Sequence, residues 1–362
     1  MRSWYGGRGC ALGLGMSGLI LLSLGGCNDT PLPSAGGPPA GEQAMFTIAV
    51  IPKGTTHEFW TTVEAGVRAA EKDLGVKVVW QGPVQESDRN QQIRIVEDLV
   101  ARRVSAICLA PLDAQALVPA VRQANAGGVP VVIFDSDLSG GERVSFVATD
   151  NRAAGRLGAQ HLASLLPQGG NVVLLRYMEG SASTTEREEG FLEEMGRHPG
   201  IVLISTDRYA GATSNTAQQA AEQLLQALQQ QSVRVDGIFC PNESSTFGML
   251  LAMVQRGSDY RPMFVGFDTS RALLDALGRR QIDGLVAQDP YRMGYLAVEA
   301  AANHLRGLPL QPRVDTGAVL ITPDNLSSPR IRELLRQSEA GDAAPVRPAG
   351  TPDAQAVPAA GR

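Results

Sequence analysis

The feature that most constrains the fold of this chain is a regular alternation of short apolar runs with amphipathic stretches. The run Thr47–Ile51 is followed by a stretch that places Val63, Val67, Ala70 and Leu74 on one face of a helix. Similar pairs of an apolar run and a helical stretch follow along most of the chain. Strands without polar alternation, each followed by an amphipathic helix, predict parallel sheets that are covered by helices on both faces.

The alternation restarts near the middle of the chain, whose 362 residues are enough for about two domains. The predicted strands are Thr47–Ile51, Lys77–Trp80, Ala106–Ala110, Val131–Phe134 and Val144–Ala148 in the first half, and Val172–Arg176, Val202–Thr206, Gly237–Cys240 and Met263–Phe267 in the second. The segments VVIFDSD (131–137) and FVGFDTS (264–270) share an apolar strand followed by Phe, Asp and a hydroxyl residue. We therefore predict two doubly wound α/β domains related by an internal duplication.

The two ends of the chain depart from this pattern. Arg2 and Arg8 flank the start of a short apolar run, Cys10–Leu24, which leads into the sequence LGGC (24–27). This order resembles a bacterial lipoprotein signal, and it predicts a signal peptide over residues 1–26 and a lipid anchor on Cys27. An ordinary secretory signal and a membrane anchor are the alternatives. Residues 27–44 and 339–362 are rich in Pro, Gly and Ala, which predicts a flexible linker and a disordered tail.

Charge and cysteine content narrow the range of functions. The chain has 32 Lys and Arg against 37 Asp and Glu and contains no basic run, which argues against nucleic-acid binding. Cys108 and Cys240 lie in short apolar strands of different predicted domains. We expect two free buried thiols, with a disulfide as the alternative.

Polar and aromatic side chains gather where the predicted strands end. The stretch AVIPKGTTHEFW (49–60) places His57, Phe59 and Trp60 at the start of a helix. The polar strand-end residues are Asp135, Arg187, Asn242, Asp268 and Gln288. Ligands of open parallel sheets bind beyond the carboxyl ends of the strands, so we expect these side chains around one cleft between the domains. Carboxylates, amides and a guanidinium suit a polyhydroxylated ligand, and aromatic rings cover the C–H faces of a sugar.

Each of these residues also has a structural alternative. Asp and Asn are common in turns. Phe59 and Trp60 are also compatible with core positions on the first helix, and His57 is compatible with a helix cap. Arg187 has Glu186 and Glu189 nearby for exposed ion pairs.

The sequence lacks the common catalytic motifs, which disfavours an enzymatic function. No GxSxG, phosphate loop or GxGxxG follows a strand, and no His or Cys spacing suggests a metal. Asp135 and Asp268 as a glycosidase pair are the alternative. We therefore predict no enzyme, no metal and no cofactor.

From about Phe46 to Asn325, the chain resembles the periplasmic sugar-binding proteins of the ribose/galactose type, the receptors of ABC importers. The segments that carry the resemblance are THEFWTTVEAG, APLDAQALVPAV, PVVIFDSD, VATDN, EGSASTTEREEGF, CPNE, GFDTS and VAQDPYRMGYLAVE. By position, the resemblance implies a ligand-contacting set of His57, Phe59, Trp60, Asp135, Ser136, Arg187, Tyr209, Asn242, Asp268 and Gln288. The clearest departure is Ser136, where ribose-type binders carry an Arg. This departure favours a larger or differently substituted polyol over ribose.

The resemblance also implies the type 1 periplasmic-binding-protein architecture, in which two Rossmann-like parallel-sheet domains are joined by a three-segment hinge. The implied N-terminal domain comprises residues 45–149 and 289–315, and the C-terminal domain comprises residues 150–288 and 316–338. Ligand binding is expected to close the two domains by hinge motion.

The function implied by this resemblance is solute capture. We expect a monomeric, lipid-anchored receptor on the periplasmic side of the cell envelope, which captures a sugar or sugar-like polyol and delivers it to an ABC importer permease. A chemosensory or signalling receptor that uses the same closed state is the alternative. A transcriptional regulator with this core is disfavoured, because no helix-turn-helix precedes Phe46.

Overall fold

The computed structural model describes residues 45–342, with side chains up to residue 336. The strands are β1 (Thr47–Ile51), β2 (Lys77–Trp80), β3 (Ala106–Leu109), β4 (Val131–Phe134), β5 (Ser145–Ala148), β6 (Gly170–Arg176), β7 (Ile201–Tyr209), β8 (Gly237–Phe239), β9 (Met263–Phe267), β10 (Gly284–Gln288), β11 (Arg313–Asp315) and β12 (Ala318–Ile321). The helices are α1 (Glu58–Leu74), α2 (Arg89–Ala101), α3 (Val118–Ala126), α4 (Asn151–Leu165), α5 (Ala182–Met195), α6 (Ser214–Gln230), α7 (Glu243–Gln255), α8 (Arg271–Gly278), α9 (Pro290–Leu305) and α10 (Pro329–Asp342).

The strands form two sheets of six, with the orders β11-β5-β4-β3-β1-β2 and β12-β10-β9-β8-β6-β7. The two orders correspond strand for strand, as expected for a duplicated unit. Helices α1, α2, α3 and α9 pack on the first sheet, and α4 to α8 pack on or beside the second. We call these two halves the first lobe and the second lobe. The predicted fold class, two doubly wound α/β domains, is confirmed.

One strand departs from the predicted parallel arrangement. Strand β12 pairs antiparallel with β10, whereas the other pairings within both sheets of the described chain are parallel. The reason is its connection: β10 ends where the chain leaves the second lobe, and β12 begins where the chain returns from β11. Their hinge ends are therefore adjacent, so the two strands run in opposite directions.

The chain passes between the sheets three times, after β5, after β10 and between β11 and β12. These three passages lie side by side, and the side chain of Thr149 in the first bonds to Gln288 in the second. The domain boundaries implied by the resemblance stay a prediction.

Each sheet separates two apolar cores. Val50 belongs to one cluster of the first lobe and its neighbour Ile51 to the other, because successive strand residues point to opposite faces. Val173 and Leu174 divide the second lobe in the same way. Burial on both faces explains why the strands carry no polar alternation in the sequence. Cys108 and Cys240 are buried free thiols in different lobes, which confirms that prediction.

Helix α10 contacts both lobes. Ile331 is buried in the core of the second lobe, where Leu334 and Leu335 pack against it, and the helix also packs on α1 of the first lobe. The helix runs through residues 339–342, and the disordered tail predicted over residues 339–362 stays a prediction. The predicted signal peptide, Cys27, the linker and the rest of the tail lie outside the described residues. Among the described helices, none combines the length and apolar character needed to cross a membrane.

Glycine permits the close packing of α4 on α5. A Cβ atom on Gly155 would lie 1.9 Å from the carbonyl oxygen of Arg187, and one on Gly190 would lie 2.1 Å from that of Arg152. The absence of these side chains therefore sets how near α5, which carries Arg187, lies to the second sheet.

We expect Gly155→Ala to lower the free energy of unfolding by about 2 kcal/mol or more, because the new methyl group overlaps backbone atoms that cannot move independently. Urea denaturation measures this loss. The matched control is Gly278→Ala at the end of α8, where no atom lies within 4 Å of an added Cβ. Equal effects of the two substitutions would contradict the packing argument.

Candidate functional site

A small cavity of about 30 Å³ lies between the lobes, at the carboxyl ends of the strands of both sheets. It is lined by Lys53, His57, Phe59, Trp60, Glu86, Asp135, Tyr177, Ser183, Thr184, Arg187, Asn242, Glu243, Asp268 and Gln288. Eight of the ten residues predicted to contact a ligand are in this set; Ser136 and Tyr209 are not. The space holds about two water molecules, so the lobes are closed on their own side chains.

Asp135 and Asp268 occupy equivalent positions in the two lobes. Asp135 follows β4 and donates its backbone N–H to Val147, while Asp268 follows β9 and donates its backbone N–H to Val286. Both have the left-handed backbone conformation, with φ of 60° and 68°. Asp tolerates this conformation better than most residues, and such strained positions cluster at functional sites. The duplication thus places one carboxylate from each lobe at the same cavity.

Lys53 pairs with Asp135 and also reaches the other lobe. Its ammonium lies 2.9 Å from Asp135 Oδ2. The two groups form an ion pair, but the angles between them do not fit a hydrogen bond. It donates hydrogen bonds to the hydroxyl oxygens of Ser183 at 2.9 Å and Ser181 at 3.3 Å. Lys53 is 4% exposed. A buried ammonium needs such partners, and closure of the lobes supplies the two serine hydroxyl groups.

Ser136 is fully buried and does not line the cavity. Its Oγ accepts the backbone N–H of Ser183 at 3.0 Å. Ser183 lies in the first turn of α5, whose own N-cap residue, Ser181, makes no side-chain capping bond. A hydroxyl group from the first lobe therefore caps a helix of the second. This contact needs a small hydroxyl residue at position 136.

Glu86 joins His57, Trp60 and Tyr177 in one buried network. Its carboxylate lies 2.9 Å from His57 Nδ1 and accepts the Trp60 indole N–H at 2.6 Å. It also accepts the hydroxyl of Tyr177 from the second lobe. His57 occupies the N-cap position of α1 but makes no side-chain capping bond. The network therefore replaces the capping role considered for His57, and it ties the lobes together.

The charges of this network stabilise each other. Burial alone would raise the pKa of Glu86, but the hydrogen bond and charge of His57, with Lys53 nearby, outweigh burial and lower the pKa to about 2. Burial alone would lower the pKa of His57, but Glu86 raises it to about 9. Both groups are therefore charged at neutral pH.

Arg187 is 2% exposed and makes no exposed ion pair. Its Nε donates to Asn151 Oδ1 at 2.8 Å, its Nη1 donates to the Pro241 carbonyl at 2.9 Å, and its guanidinium lies 4.1 Å from the centre of the Phe267 ring. Glu186 and Glu189 instead pair with Arg152. Arg187 therefore presents a fixed positive charge to the cavity.

A chain of hydrogen bonds connects Glu243 to the hinge. The backbone N–H of Glu243 donates to Asp268 Oδ2 at 2.9 Å, and Gln288 Nε2 donates to Asp268 Oδ1 at 2.8 Å. Thr149 completes the chain by donating its hydroxyl to Gln288 Oε1 at 2.9 Å. Asn242 stands beside this chain and caps α7 through the backbone N–H of Ser245.

Glu243 also accepts the backbone N–H of Phe59 across the lobes at 3.2 Å. Burial raises the pKa of Glu243 to about 7, with the negative charge of Asp268 adding to the rise and His57 opposing it. The cavity is lined by the cations Lys53, His57 and Arg187 and by the carboxyl groups of Glu86, Asp135, Asp268 and Glu243. The lining thus has four carboxyl groups for three cations, and Glu243 is the carboxyl group without a cation of its own.

Two predicted aromatic contacts are placed differently from Phe59. Trp60 reaches the cavity but is 2% exposed and packs in the core against Phe134. Tyr209 ends strand β7, is 45% exposed and lies under the guanidinium of Arg176. Phe59 is therefore the predicted ring best placed as a ligand wall.

Sequence reasoning missed Lys53, Glu86, Tyr177 and Glu243. Lys53 lies two residues after β1, Tyr177 directly follows β6, and Glu86 lies in the loop after β2. The rule that ligand residues follow strands applies to all three, but no local motif distinguishes them from turn residues. Among the described residues, no group of three or more His, Cys, Asp or Glu is arranged to hold a metal ion.

The His57–Glu86 pair predicts a pH dependence of stability. Because folding raises the pKa of His57 from 6.5 to about 9 and lowers the pKa of Glu86 from 4.5 to about 2, the pair contributes fully between about pH 4.5 and pH 6.5 and loses its contribution as the pH rises through 9. Between pH 6 and pH 9, we expect the wild-type chain to lose on the order of 2 kcal/mol more unfolding free energy than Glu86→Gln does. Urea denaturation at both pH values measures the difference. Glu64→Gln, on the exposed side of α1, is the control, and parallel profiles for wild type and Glu86→Gln would contradict the assignment.

Comparison with known proteins agrees with this architecture. A family profile described as "Periplasmic binding protein domain" matches residues 48–309. The ribose import binding protein of Bacillus subtilis (strain 168) is 30% identical over 307 residues, which cover 84% of this chain and 96% of that protein.

Two solved structures are also similar. A carbohydrate transporter solute-binding protein from Agrobacterium radiobacter, in complex with D-arabinose, is 35% identical with a TM-score of 0.76, covering 81% of this chain and 99% of that one. The periplasmic component of an ABC-type sugar transport system from Hahella chejuensis is 36% identical with a TM-score of 0.72, covering 76% and 99%. The chain is therefore a member of the periplasmic binding protein family, and its predicted resemblance to the sugar-binding branch of that family is confirmed.

Proposed function

We propose that the chain captures a sugar or sugar-like polyol between its lobes and delivers it to the permease of an ABC importer. The observation that carries this proposal is the convergence of Asp135 and Asp268, one from each lobe, on a single cavity. Each carboxylate accepts hydroxyl hydrogen bonds, and Arg187 and the amides of Asn242 and Gln288 supply donors beside them. One relative is named for ribose import and another was solved in complex with D-arabinose, and both support the same class of ligand.

Capture requires the lobes to open. The closed cavity of about 30 Å³ is too small for a sugar ring, and the side chains that fill it come from both lobes. In our proposal, hinge motion separates these groups, the ligand enters, and the closed state is selected because the ligand contacts both lobes. A permease then recognises the closed form. Tethering by a lipid on Cys27 and a monomeric state are parts of the same proposal.

Lys53 belongs to the proposed ligand site. Ribose-type binders carry an Arg next to the Asp at position 135, but here Ser136 caps α5 instead. Lys53 supplies the positive charge at Asp135 from the loop after β1. A compact ammonium cannot form the paired hydrogen bonds of a guanidinium, so we propose that the preferred ligand differs from ribose in the groups near Asp135.

A thermal-shift screen of the purified chain against sugars, polyols and cyclitols tests the ligand class. A true ligand at about 100 times its dissociation constant adds roughly 2.7 kcal/mol to the unfolding free energy. We expect Asp135→Asn to abolish this shift, because Asn tolerates the left-handed backbone but lacks the charge that accepts ligand hydroxyls. Asp137→Asn, which removes a partly exposed carboxylate outside the cavity, is the matched control. The proposal fails if no compound stabilises the chain or if both variants respond as the wild type does.

The role of Lys53 is tested by affinity for the ligand found in that screen. We expect Lys53→Met to weaken binding at least about tenfold, because it removes a buried charged donor that contacts side chains of both lobes. Lys53→Arg should retain part of the affinity, and Lys72→Met on the exposed face of α1 should retain all of it. Isothermal titration calorimetry measures the three constants. Unchanged affinity in Lys53→Met would remove Lys53 from the site.

A further inference from the structure

A second cavity of about 320 Å³ adjoins the ligand cavity. The two share Phe59, Glu243, Asp268 and Gln288 as a common wall. Beyond that wall the second cavity is lined by residues that include Glu58, Thr62, Ser270, Arg271, Asp275 and Leu335. We call this space the outer chamber. Its volume lies within the range of small-molecule sites, about 300–1,000 Å³.

Both lobes build the outer chamber. Glu58 begins α1 in the first lobe, and its Oε2 accepts the backbone N–H of Arg271, which begins α8 in the second lobe, at 2.8 Å. Leu335 of α10 adds a wall from the helix that contacts both lobes. The chamber therefore forms by the same closure that forms the ligand cavity, and it would open with it.

Hydrogen-bond acceptors exceed donors on the chamber walls. Glu58 and Glu243 each use Oε2 for a backbone N–H across the lobes, and within the described residues neither Oε1 accepts a hydrogen bond. Asp275 adds a third carboxylate, whose side chain likewise has no bond to a described residue. Arg271 is the one cationic side chain among the lining residues that the structure describes. Hydroxyl and ammonium groups match such walls, whereas a carboxylate or phosphate would meet like charge.

The raised pKa of Glu243, about 7, agrees with this geometry. Its first cause is burial, and the neighbouring charges of Asp268 and Glu58 add to it. His57 is the cation that opposes the rise. In the closed state, positive charge therefore balances Glu243 at the common wall only in part.

We propose that the outer chamber is a subsite for an extension of the ligand that donates hydrogen bonds and is uncharged or cationic. This inference rests on the proposed function, because the extension enters with the sugar or polyol that occupies the ligand cavity. The physiological ligand is then a glycoside or substituted polyol rather than a bare monosaccharide. Phe59 separates the two parts of such a ligand, and Glu243 contacts both.

The test measures affinities by calorimetry for D-ribose, D-arabinose, D-galactose and D-glucose and for their 2-hydroxyethyl, 2-aminoethyl and carboxymethyl glycosides. For the sugar that binds, we expect the hydroxyethyl and aminoethyl glycosides to match or exceed the free sugar. The carboxymethyl glycoside should bind at least about tenfold more weakly than the hydroxyethyl one.

Two variants separate the chamber from the ligand cavity. Ser270→Trp fills the chamber from a residue whose side chain makes no capping bond, so it should weaken both favoured glycosides about tenfold and leave the free sugar within about twofold. Arg279→Trp, at the exposed end of α8, is its control. Asp275→Lys should weaken the aminoethyl glycoside and strengthen the carboxymethyl glycoside, a reversal that a general loss of packing would not produce.

The outcomes distinguish the two proposals. If free sugars bind but none of the glycosides does, the subsite is wrong and the proposed function stands. The subsite is also wrong if the carboxymethyl glycoside binds best, or if Asp275→Lys leaves the order of the glycosides unchanged. If no glycoside binds and no compound of the thermal-shift screen stabilises the chain, both proposals are overturned.

Discussion

The structure depends on one geometric constraint: in a parallel sheet, every strand ends at the same edge. Each lobe therefore collects its strand-end residues along one line, and the hinge sets the two lines face to face. The equivalent backbone conformations of Asp135 and Asp268 show this constraint acting twice in one chain. Neither residue would meet the other in an antiparallel sheet, where alternate strands end at opposite edges.

Closure moves charged groups from water into a confined space, and their arrangement limits the free-energy cost of that transfer. Lys53 meets Asp135, and Glu86 meets His57, so that each of these four buried charges has a partner of opposite sign. Serine and tyrosine hydroxyls from the second lobe occupy the remaining hydrogen-bonding positions. These hydroxyl contacts exist only when the lobes are together. A ligand of the proposed kind replaces them with its own hydroxyl groups, so a cavity that is nearly full when closed is compatible with the proposed binding site.

Much of the fold could be predicted from the sequence, because burial on both faces of a parallel sheet leaves a local record. Unbroken apolar runs such as Val131–Phe134 identify strands directly from the sequence, and the repeated Phe-Asp pair indicates the duplication. The direction of β12 was not predictable in this way, because it follows from where the chain re-enters the second lobe. The docking of α10 was likewise not predictable from local sequence, because the helix packs on both lobes.

Residue type and position after a strand were sufficient to bring eight predicted residues to one cavity, including Arg187 and Gln288. The sequence by itself thus determined the two-lobed architecture and the sheet edge of the proposed ligand site, because both follow from short-range periodicity. Only the tertiary structure decided which side chains meet. It turned Ser136 to cap α5, placed Trp60 in the core and brought Lys53 to Asp135. Residues that far apart in the chain meet either through assembly of one sheet, as Lys53 and Asp135 do, or through closure of the lobes, as Ser136 and Ser183 do, and no local pattern records which side chains are brought together.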